Sequence, residues 1–334
     1  MGDETNIEWT WIFHDDGSIT KGATWNPCSG CSKKKIALID GLYQDVIGLD
    51  IELIKKATEI ITDPLCENCY MFPNAEQQKV RVFGIYDKMY KEGKITLEER
   101  DKRYNNAKYR YGSKFRIHWK DVGIPLAKKK PMMWFVNSMS DLAHEQMPLD
   151  FFQAVFETMN KAYWHTFLVL TKRPKKMVEW QNEVNWSKNI WLGTSVGQKT
   201  LYYIDQLLET PAYTKFLSCE PLLGPLDLKP YFERLSVTER KRFNVLAGGE
   251  SPQPNFRPMK LEWVRQLRDD CLEYNVPFFY KQFGGTNKPC SCCGAKGCRK
   301  LDGLFHNDRP ELIQLTTNEY DHIKNSKQSL LRFS

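Results

Sequence analysis

Short apolar runs alternate with amphipathic stretches along the chain from residue 131 onward. Each run ends in polar or glycine residues, and the stretches at 149–162 and 261–274 repeat apolar residues with the three- and four-residue spacing of a helix. Continuous apolar strands that alternate with helices are typical of a parallel sheet covered on both faces. The predicted strands are 132–137, 165–171, 189–195, 214–219, 243–249 and 276–282, with one more near 23–26.

Strands in this number favour an α/β fold, namely a parallel β/α barrel of the TIM type that is either complete or partial. Residues 32–130 interrupt the pattern, because 36–61 reads as a helix and much of the rest is charged and rich in tyrosine, with another helix near 97–105. We interpret this region as a helical, basic insertion after the first strand. The predicted domains are a barrel over 1–285, which contains the insertion, and a cysteine-rich tail over 286–334.

Polar residues follow every predicted strand. In a parallel barrel the loops after the strands meet at the carboxyl ends, where active sites lie. We therefore predict a functional site at that end of the sheet. Its candidate residues are Asn137, Ser138, Asp141, Lys172, Arg173, Ser195, Cys219, Glu220, Gly248, Gly249, Glu250 and Lys281.

The ten cysteines are clustered, which favours metal binding or catalysis over a disulfide framework. Two pairs, Cys28 with Cys31 and Cys66 with Cys69, each have a two-residue spacer. Taken alone, this spacing is that of a structural zinc site with four thiolates. Thiolates also hold iron–sulfur clusters, and this group begins directly after the first barrel strand, so a cluster at the mouth of the barrel is the alternative.

A second cysteine group lies in the predicted tail. Its members, Cys290, Cys292, Cys293 and Cys298, fall within nine residues and are accompanied by glycines that permit tight turns. This pattern predicts a metal-binding knuckle, with zinc favoured over a second iron–sulfur cluster and His306 as a replacement ligand. A cysteine loop that binds no metal is the competing interpretation.

Composition and charge narrow the class of protein only slightly. Hydrophobic residues make up 41% and charged residues 27%, no apolar run could span a bilayer, and the first ten residues lack the pattern of a secretory signal. We therefore expect a cytoplasmic protein. The net charge of +7 is mild, but residues 101–120 are rich in lysine, arginine and tyrosine, which favours a nucleic-acid surface over a merely solvated face.

Several segments closely resemble a phage- and prophage-associated family that carries a three-cysteine motif and is regarded as similar to radical S-adenosylmethionine (SAM) enzymes. The resemblance runs in order over most of residues 5–285. It rests on the segments ATWNPCSGC, CENCY, FVNSMSDLAHE, HTFLVLTKRP, IWLGTSV, FLSCEPLLGPLDL, GGES, EWVRQLRD and VPFFYKQFGG.

The resemblance implies a [4Fe–4S] cluster held by Cys31, Cys66 and Cys69, with Tyr70 beside it. Cys28 stands where the family has another residue, so it is left out of the cluster. The long insertion between Cys31 and Cys66 departs from the family pattern. Three thiolates leave one iron open for SAM, and reduction by an external electron donor then yields a 5′-deoxyadenosyl radical that abstracts a substrate hydrogen.

If SAM binds at the strand ends, its functional groups suggest partners for it. The SAM ammonium suits Asn137, Ser138 and Asp141, and the SAM carboxylate suits Lys172, Arg173 and Ser195. The ribose suits Glu220, and the backbone at Gly248 and Gly249 permits close approach of the ligand. The catalytic candidates are Cys219 as a hydrogen donor, Glu250 and Lys281; a lone cysteine on a buried strand is more often an ordinary core residue, and this is the alternative for Cys219.

The leading functional hypothesis is a radical SAM enzyme that acts on a base in phage DNA, which would have to flip out of the duplex. By kinship, the expected reaction is the isomerisation of a glycine adduct of thymine to an aminoethyl side chain. Two alternatives stay open. One is a radical SAM enzyme acting on a free nucleotide or a peptide, and the other is a non-catalytic, zinc-containing protein that binds nucleic acid.

Overall fold

The structure is a computed structural model, and it describes most of the chain outside the region that carries the first cysteine groups. The described residues are 10–13, 18–29, 71–110, 115–251, 256–285, 290–292 and 297–312. The predicted helix at 36–61 lies outside them.

A parallel sheet of seven strands forms the centre of the described structure. The sheet contains β3 (Ala23–Trp25), β6 (Met133–Val136), β7 (Thr166–Thr171), β8 (Ile190–Ser195), β9 (Thr214–Cys219), β10 (Phe243–Gly248) and β11 (Phe278–Gln282), paired in that order. Each predicted strand is confirmed to within two residues at either end. The sequential order agrees with a β/α repeat in which each strand pairs with the one before it.

Short antiparallel pairs flank the sheet. They are β1 (Ile12–Phe13) with β2 (Ile19–Thr20), β4 (Cys28–Ser29) with β5 (Arg116–Ile117), and β12 (Lys300–Leu301) with β13 (Leu304–Phe305). The strand β4 follows β3 after two residues, and β5 lies within the region interpreted as the insertion, towards its carboxyl end. The β4–β5 pair therefore ties this part of the insertion to the carboxyl end of β3.

Helices lie between the strands, as the sequence pattern predicts. They are α1 (Met71–Lys91), α2 (Leu97–Arg110), α3 (Ile124–Ala127), α4 (Leu149–Lys161), α5 (Pro174–Glu179), α6 (Tyr203–Glu209), α7 (Lys229–Glu233), α8 (Val237–Lys241) and α9 (Leu261–Glu273). The helix α4 buries Phe152, Val155 and Phe156 on the face that its apolar spacing defines. No helix among the described residues is both long and apolar enough to cross a membrane.

The two faces of the sheet pack in different ways. The outer face and the helices share the main hydrophobic core, to which Trp25, Val169 and Leu217 belong. The inner face carries a smaller apolar cluster formed by Met133, Phe135, Leu168, Trp191, Phe216, Leu246 and Phe279. These side chains come from six adjacent strands, so the interior below the strand ends is filled with side chains.

The sheet is curled. Met133 lies on β6 and Phe279 on β11, near opposite ends of the strand order, yet both belong to the inner cluster. Arg309 contacts both of them, because a guanidinium nitrogen lies 3.5 Å from the Met133 sulfur and the guanidinium carbon lies 5.5 Å from the centre of the Phe279 ring. A flat sheet of this width could not bring these two strands to one side chain. The described sheet is therefore a curled, partial barrel.

The predicted tail packs on the sheet. Tyr280 donates its backbone N–H to the His306 carbonyl at 2.9 Å, and Asp308 donates to the Phe278 carbonyl at 3.1 Å, so residues 306–308 cover the edge of β11. Leu301 belongs to the main core. The tail residues that the structure describes therefore pack against the barrel, and the domain boundary expected at residue 285 stays a prediction.

Candidate functional site

Polar residues extend the inner face of the sheet beyond the apolar cluster, at the carboxyl ends of the strands. Alternation along β8 places Ser195 on the same face as Trp191 and Gly193, and alternation along β9 places Ser218 on the same face as Phe216. Ser195 and Ser218 are paired neighbours in the register of these strands. The predicted position of a polar site at this end of the sheet thus agrees with the geometry.

Asn137 has a buried side chain that lacks a hydrogen-bond partner. It follows β6, donates its backbone N–H to the Trp25 carbonyl at 2.9 Å, and has a φ of 64°, in the left-handed region that asparagine tolerates better than most residues. The residue is 4% exposed, and within the described part of the structure neither its side-chain oxygen nor its side-chain nitrogen is paired. Each such orphan costs about 1–3 kcal/mol, so this amide indicates a place where a ligand would supply the missing partners.

Asn26 connects the ends of β3 and β6. Its side-chain oxygen accepts hydrogen bonds from the Ser138 hydroxyl at 3.2 Å and from the Met139 backbone N–H at 3.0 Å. Asn26 was not among the predicted site residues, although it lies in the Trp-Asn-Pro turn that carries the resemblance. Ser138 was predicted to contact a cofactor, and here its hydroxyl helps to hold the loop after β6.

Asp141 accepts four hydrogen bonds and is largely enclosed by them. One carboxylate oxygen accepts from the Thr171 hydroxyl at 2.7 Å and the Ala143 N–H at 2.9 Å. The other accepts from the Lys172 N–H and an Arg173 guanidinium nitrogen, both at 3.0 Å. Because both oxygens are fully used, Asp141 orients the loop after β7, and this role differs from the predicted contact with the SAM ammonium.

Arg173 forms a second ion pair beside Asp141, with its Nε 2.5 Å from a Glu145 carboxylate oxygen. Burial acts to raise the pKa of Glu145, but the hydrogen bond and the positive charge of Arg173 outweigh it and lower that pKa to about 2. The predicted carboxylate-binding residue Arg173 is therefore already paired with two acids. It can hold an anion only by sharing its guanidinium with them.

His144 lies in the same loop, where its ring stacks on Phe115 with the centroids 3.9 Å apart. Its Nδ1 accepts the Gln146 backbone N–H at 3.1 Å. Burial lowers the pKa of His144, and the nearby Arg173 lowers it further, to about 4. The histidine is therefore neutral at neutral pH and fixes the loop through its neutral ring. Sequence reasoning missed this residue, because a single histidine in a loop gives no pattern.

Glu220 and Lys281 form an ion pair across the mouth of the sheet. The Lys281 ammonium lies 2.7 and 2.6 Å from the two Glu220 oxygens, and the Gln282 amide nitrogen lies 3.3 Å from one of them. Gly248 lies between the pair, since a Cβ placed there would be 3.3 Å from the Lys281 Cβ and 3.6 Å from the Glu220 carboxyl carbon. The predicted residues Glu220, Gly248 and Lys281 thus come together in one place.

Glu250 forms hydrogen bonds and an ion pair with Arg257, which follows it in the chain. Its carboxylate accepts from the Arg257 backbone N–H at 2.7 Å and from an Arg257 guanidinium nitrogen at 2.5 Å. At Gly249, a Cβ would lie 1.8 Å from the Phe283 carbonyl oxygen. The packing of the protein itself therefore requires glycine at position 249. The sequence analysis instead explained this glycine by the close approach of a ligand.

Cys219 lies on the wrong face of the sheet for the catalytic role that the sequence suggested. It is fully buried and belongs to the main core between the sheet and the helices, close enough to Cys271 of α9 to influence its pKa. Burial raises the pKa of Cys219 to about 12. Its neighbours Ser218 and Glu220 point to the mouth, and alternation sends Cys219 the other way. We therefore remove Cys219 from the candidate site.

The cysteines of the predicted cluster, together with Tyr70, lie outside the described residues. They are Cys31, Cys66 and Cys69. Cys28 is described: it is fully buried in β4, and its sulfur lies 3.1 Å from the Ser140 hydroxyl. Next to it, the Ser29 hydroxyl lies 2.9 Å from the His118 Nε2, so β4 is fastened to the loops after β5 and β6.

The tail cysteines that the structure describes form a compact group. The sulfur atoms of Cys290, Cys292 and Cys298 all lie within 4.8 Å of one another. Cys293 lies outside the described residues, and His306 is not part of this group. The structure therefore brings three of the predicted knuckle ligands together in one place.

The predicted nucleic-acid segment is only partly described. Tyr104 of α2 stacks on Phe83 of α1 with the ring centroids 4.3 Å apart, and the Arg103 guanidinium carbon lies 5.8 Å from the centre of the Tyr86 ring. Arg116 lies in β5, away from this hairpin in the chain. Tyr104 thus already has a stacking partner within the protein, on one face of its ring.

Comparison with known proteins identifies a family whose function is unknown. A family model described as a protein of unknown function, DUF5131, matches residues 60–310, which is more than half of the 334-residue chain. The chain belongs to this family. The matched residues include the strands β6 to β11 and therefore most of the polar residues at the carboxyl ends of the sheet, which we call the polar rim. No curated protein and no solved structure matches the chain.

Proposed function

We propose that this member of DUF5131 is a radical SAM enzyme that modifies a nucleic-acid base at the carboxyl ends of a partial, TIM-like barrel. The resemblance of the cysteine motif suggests the cofactors, and the polar rim suggests their location. When bound, a [4Fe–4S] cluster and SAM supply a radical that abstracts hydrogen from the substrate. The chain itself must bind and orient these groups and exclude water.

The unpaired amide of Asn137 carries the proposal. The amino-acid end of SAM presents an ammonium, which donates hydrogen bonds, next to a carboxylate, which accepts them. An asparagine amide offers one acceptor oxygen and one donor nitrogen, so it matches that pair of groups. Asn137 is nearly fully buried and both of its polar atoms lack partners among the described residues. The match between Asn137 and the amino-acid end of SAM therefore rests on the hydrogen-bonding groups of the amide and on its burial.

The position of the cysteine segment supports the same location. The strand β4 ends at Ser29, and Cys31 follows it by two residues in the chain. Asn26 precedes β4 by two residues and holds the loop that begins at Asn137. A segment that leaves the sheet at this point starts beside the rim.

The other rim residues have separate tasks in this proposal. Asp141 holds the backbone of Lys172 and the guanidinium of Arg173 in fixed positions, which orients the loop after β7. The Glu220–Lys281 pair places a carboxylate and an ammonium at the mouth, where the carboxylate suits a ribose diol and the ammonium can hold a proton near the substrate. Glu250 is fixed by Arg257 at the edge of the same mouth.

For the substrate, we propose a base in phage DNA, and specifically an isomerisation of a glycine adduct of thymine. This part rests on the family resemblance and on the basic, tyrosine-rich sequence of 101–120. Such a base would have to leave the duplex to reach the mouth of the barrel. A free nucleotide or a peptide would need no salt-sensitive DNA binding, and this difference separates the alternatives.

Iron binding tests the cofactor assignment. Protein purified and reconstituted without oxygen should be brown, with broad absorption near ~400 nm. Changing Cys31, Cys66 or Cys69 to alanine should abolish iron binding, whereas Cys28→Ala, a matched change at the other cysteine of the first pair, should retain it. Loss of iron in Cys28→Ala to the same degree, or a colourless protein with zinc on four thiolates, would contradict the proposal.

A further inference from the structure

We propose that Cys290, Cys292 and Cys298 bind a zinc ion that fixes the backbone at the carboxyl end of β11, beside the candidate site. The inference concerns a site separate from the predicted iron–sulfur cluster, and it does not depend on the proposed function. It rests on the arrangement of the three sulfur atoms and on the hydrogen bonds that join their loop to the sheet.

The three sulfur atoms lie closer together than unrelated side chains would. The Cys292 sulfur lies 2.9 Å from that of Cys290 and 3.3 Å from that of Cys298. A zinc ion binds thiolates at about 2.3 Å in tetrahedral geometry, so its sulfur ligands lie about 3.8 Å apart. Small outward movements therefore make room for one ion. A four-iron cluster attaches each thiolate to a separate iron and needs a wider spacing.

The backbone around Cys298 is arranged for this convergence. Gly297 and Cys298 both have left-handed backbone conformations, with φ values of 70° and 50°. A cysteine pays a cost in this region that glycine does not, and such strain persists where surrounding interactions stabilise it. A Cβ at Gly297 would also lie 3.0 Å from the Gly284 nitrogen, closer than most Cβ contacts, so glycine at this position favours the close approach of the loop to β11.

Hydrogen bonds connect the cysteine loop to the rim of the sheet. The Phe283 N–H donates to the carbonyls of Gly297 at 2.6 Å and Cys298 at 3.0 Å, and the Gly284 N–H donates to Gly297 at 3.3 Å. One residue further, the Gly285 N–H donates to the Glu250 carbonyl at 3.0 Å. The cysteine loop thus contacts the segment that immediately follows Lys281 and supports Glu250.

This connection gives the metal a structural role. Zinc binding couples to the folding of the loop that supplies its ligands. With the ion bound, the carbonyls of Gly297 and Cys298 are held against Phe283 and Gly284. Without the ion, the three thiols lose their common partner, and we expect the amides of residues 283–285 to open to solvent more often.

Metal analysis of purified protein tests the site. Zinc and iron are measured separately on the same sample after growth with both metals. Wild type should hold about one zinc per chain at this site, and Cys290→Ser, Cys292→Ser and Cys298→Ser should each lose zinc and keep their iron. Ser291→Ala, in the same loop, is the matched control and should keep both metals. Full zinc content in all three cysteine variants, or iron in place of zinc, would overturn the proposal.

Hydrogen exchange tests the connection to the rim without any mutation. A zinc chelator should speed exchange at the amides of residues 283–285 at least about tenfold, and added zinc should restore the slow rate. Exchange in the central strand β8 should not change, which shows that the fold remains intact. Zinc removal that leaves the rate at 283–285 unchanged would overturn the connection. The proposed enzyme function is tested by iron and SAM, so the two proposals can fail independently.

Discussion

Asp141→Asn should destabilise the protein strongly, although the two side chains have nearly the same shape. The wild-type carboxylate faces four donors, two at each oxygen: the Thr171 hydroxyl with the Ala143 N–H, and the Lys172 N–H with the Arg173 guanidinium. An asparagine side chain has one oxygen and one NH₂ group. Whichever way it turns, the NH₂ group faces two donors, and two buried donors lose their acceptor.

The magnitude follows from burial and charge. The side chains of Asp141 and Arg173 are each 8% exposed, so the substitution also removes one of the two negative partners of a buried guanidinium. Removing one partner of a buried ion pair costs about 3–5 kcal/mol, and the lost hydrogen bonds are already part of that figure. Since 1 kcal/mol shifts the melting temperature of a large domain by about 2–4 °C, we expect a decrease of roughly 6–20 °C.

Thermal unfolding followed by circular dichroism measures this decrease. The matched control is Asp227→Asn, because Asp227 is exposed and one oxygen accepts a single hydrogen bond, from the Lys229 N–H at 3.2 Å. An asparagine oxygen can keep that bond, so the control should change stability by less than about 0.5 kcal/mol. If Asp141→Asn melts within about 2 °C of the control, Asp141 is not the centre of a buried network and the reasoning is refuted.

The remaining predictions concern acid stability, the ion pair at the mouth and DNA binding. Burial keeps His144 neutral in the folded state, so folding is not penalised by this histidine above its unfolded pKa of about 6.5, and the free energy of unfolding decreases as the pH falls from there towards 4. Unfolding experiments should show that this free energy decreases by about 1–2 kcal/mol between pH 8 and pH 5 in wild type, and that the decrease is absent in His144→Asn. A double-mutant cycle of Glu220→Gln and Lys281→Met should give a coupling energy of about 0.5–1.5 kcal/mol, and zero coupling would show that the pair is broken in solution. If DNA is the substrate, neutralising the basic segment should flatten the salt dependence of binding by about one unit per lost phosphate contact, while an unchanged slope would place the DNA surface elsewhere. The residues to neutralise are Arg103, Lys108, Arg110, Lys114 and Arg116.

Periodicity predicted the sheet well because its strands are buried on both faces. Such strands read as continuous apolar runs, and their ends are marked by polar residues, so the boundaries of β7 and β9 follow directly from the sequence. The helix α2 extends five residues beyond its predicted end at 105, because its later residues carry no apolar spacing that reveals a helix.

The position of a side chain on one face or the other was harder to predict. Cys219 and Glu220 are neighbours in the chain, and both were assigned to the site, but alternation places only Glu220 at the mouth. Applying the two-residue period of a strand to the list of strand-end residues would have excluded Cys219 in advance. Asp141 shows a different limit, because its four hydrogen-bond partners come from two separate segments of the chain, Ala143 in its own loop and residues 171–173 at the end of β7.

The contacts between the cysteine loop and the sheet could not be predicted from the sequence either. Nothing in the local sequence indicates that residues 306–308 pair with β11 or that Phe283 donates to the carbonyls of Gly297 and Cys298. These are contacts between distant parts of the chain, and they are decided by how the edge of the sheet is covered. The cysteine spacing alone was sufficient to predict that the sulfur atoms converge.

Reductive cleavage of SAM tests the central claim most directly. Anaerobically reconstituted protein is mixed with SAM and dithionite, and 5′-deoxyadenosine is measured by chromatography and mass spectrometry. Wild type should form 5′-deoxyadenosine, while Asn137→Leu should keep its absorption near ~400 nm but form at least about tenfold less, because two hydrogen-bonding groups at the buried amide are lost. Wild-type protein that holds its cluster and forms no 5′-deoxyadenosine would contradict the account.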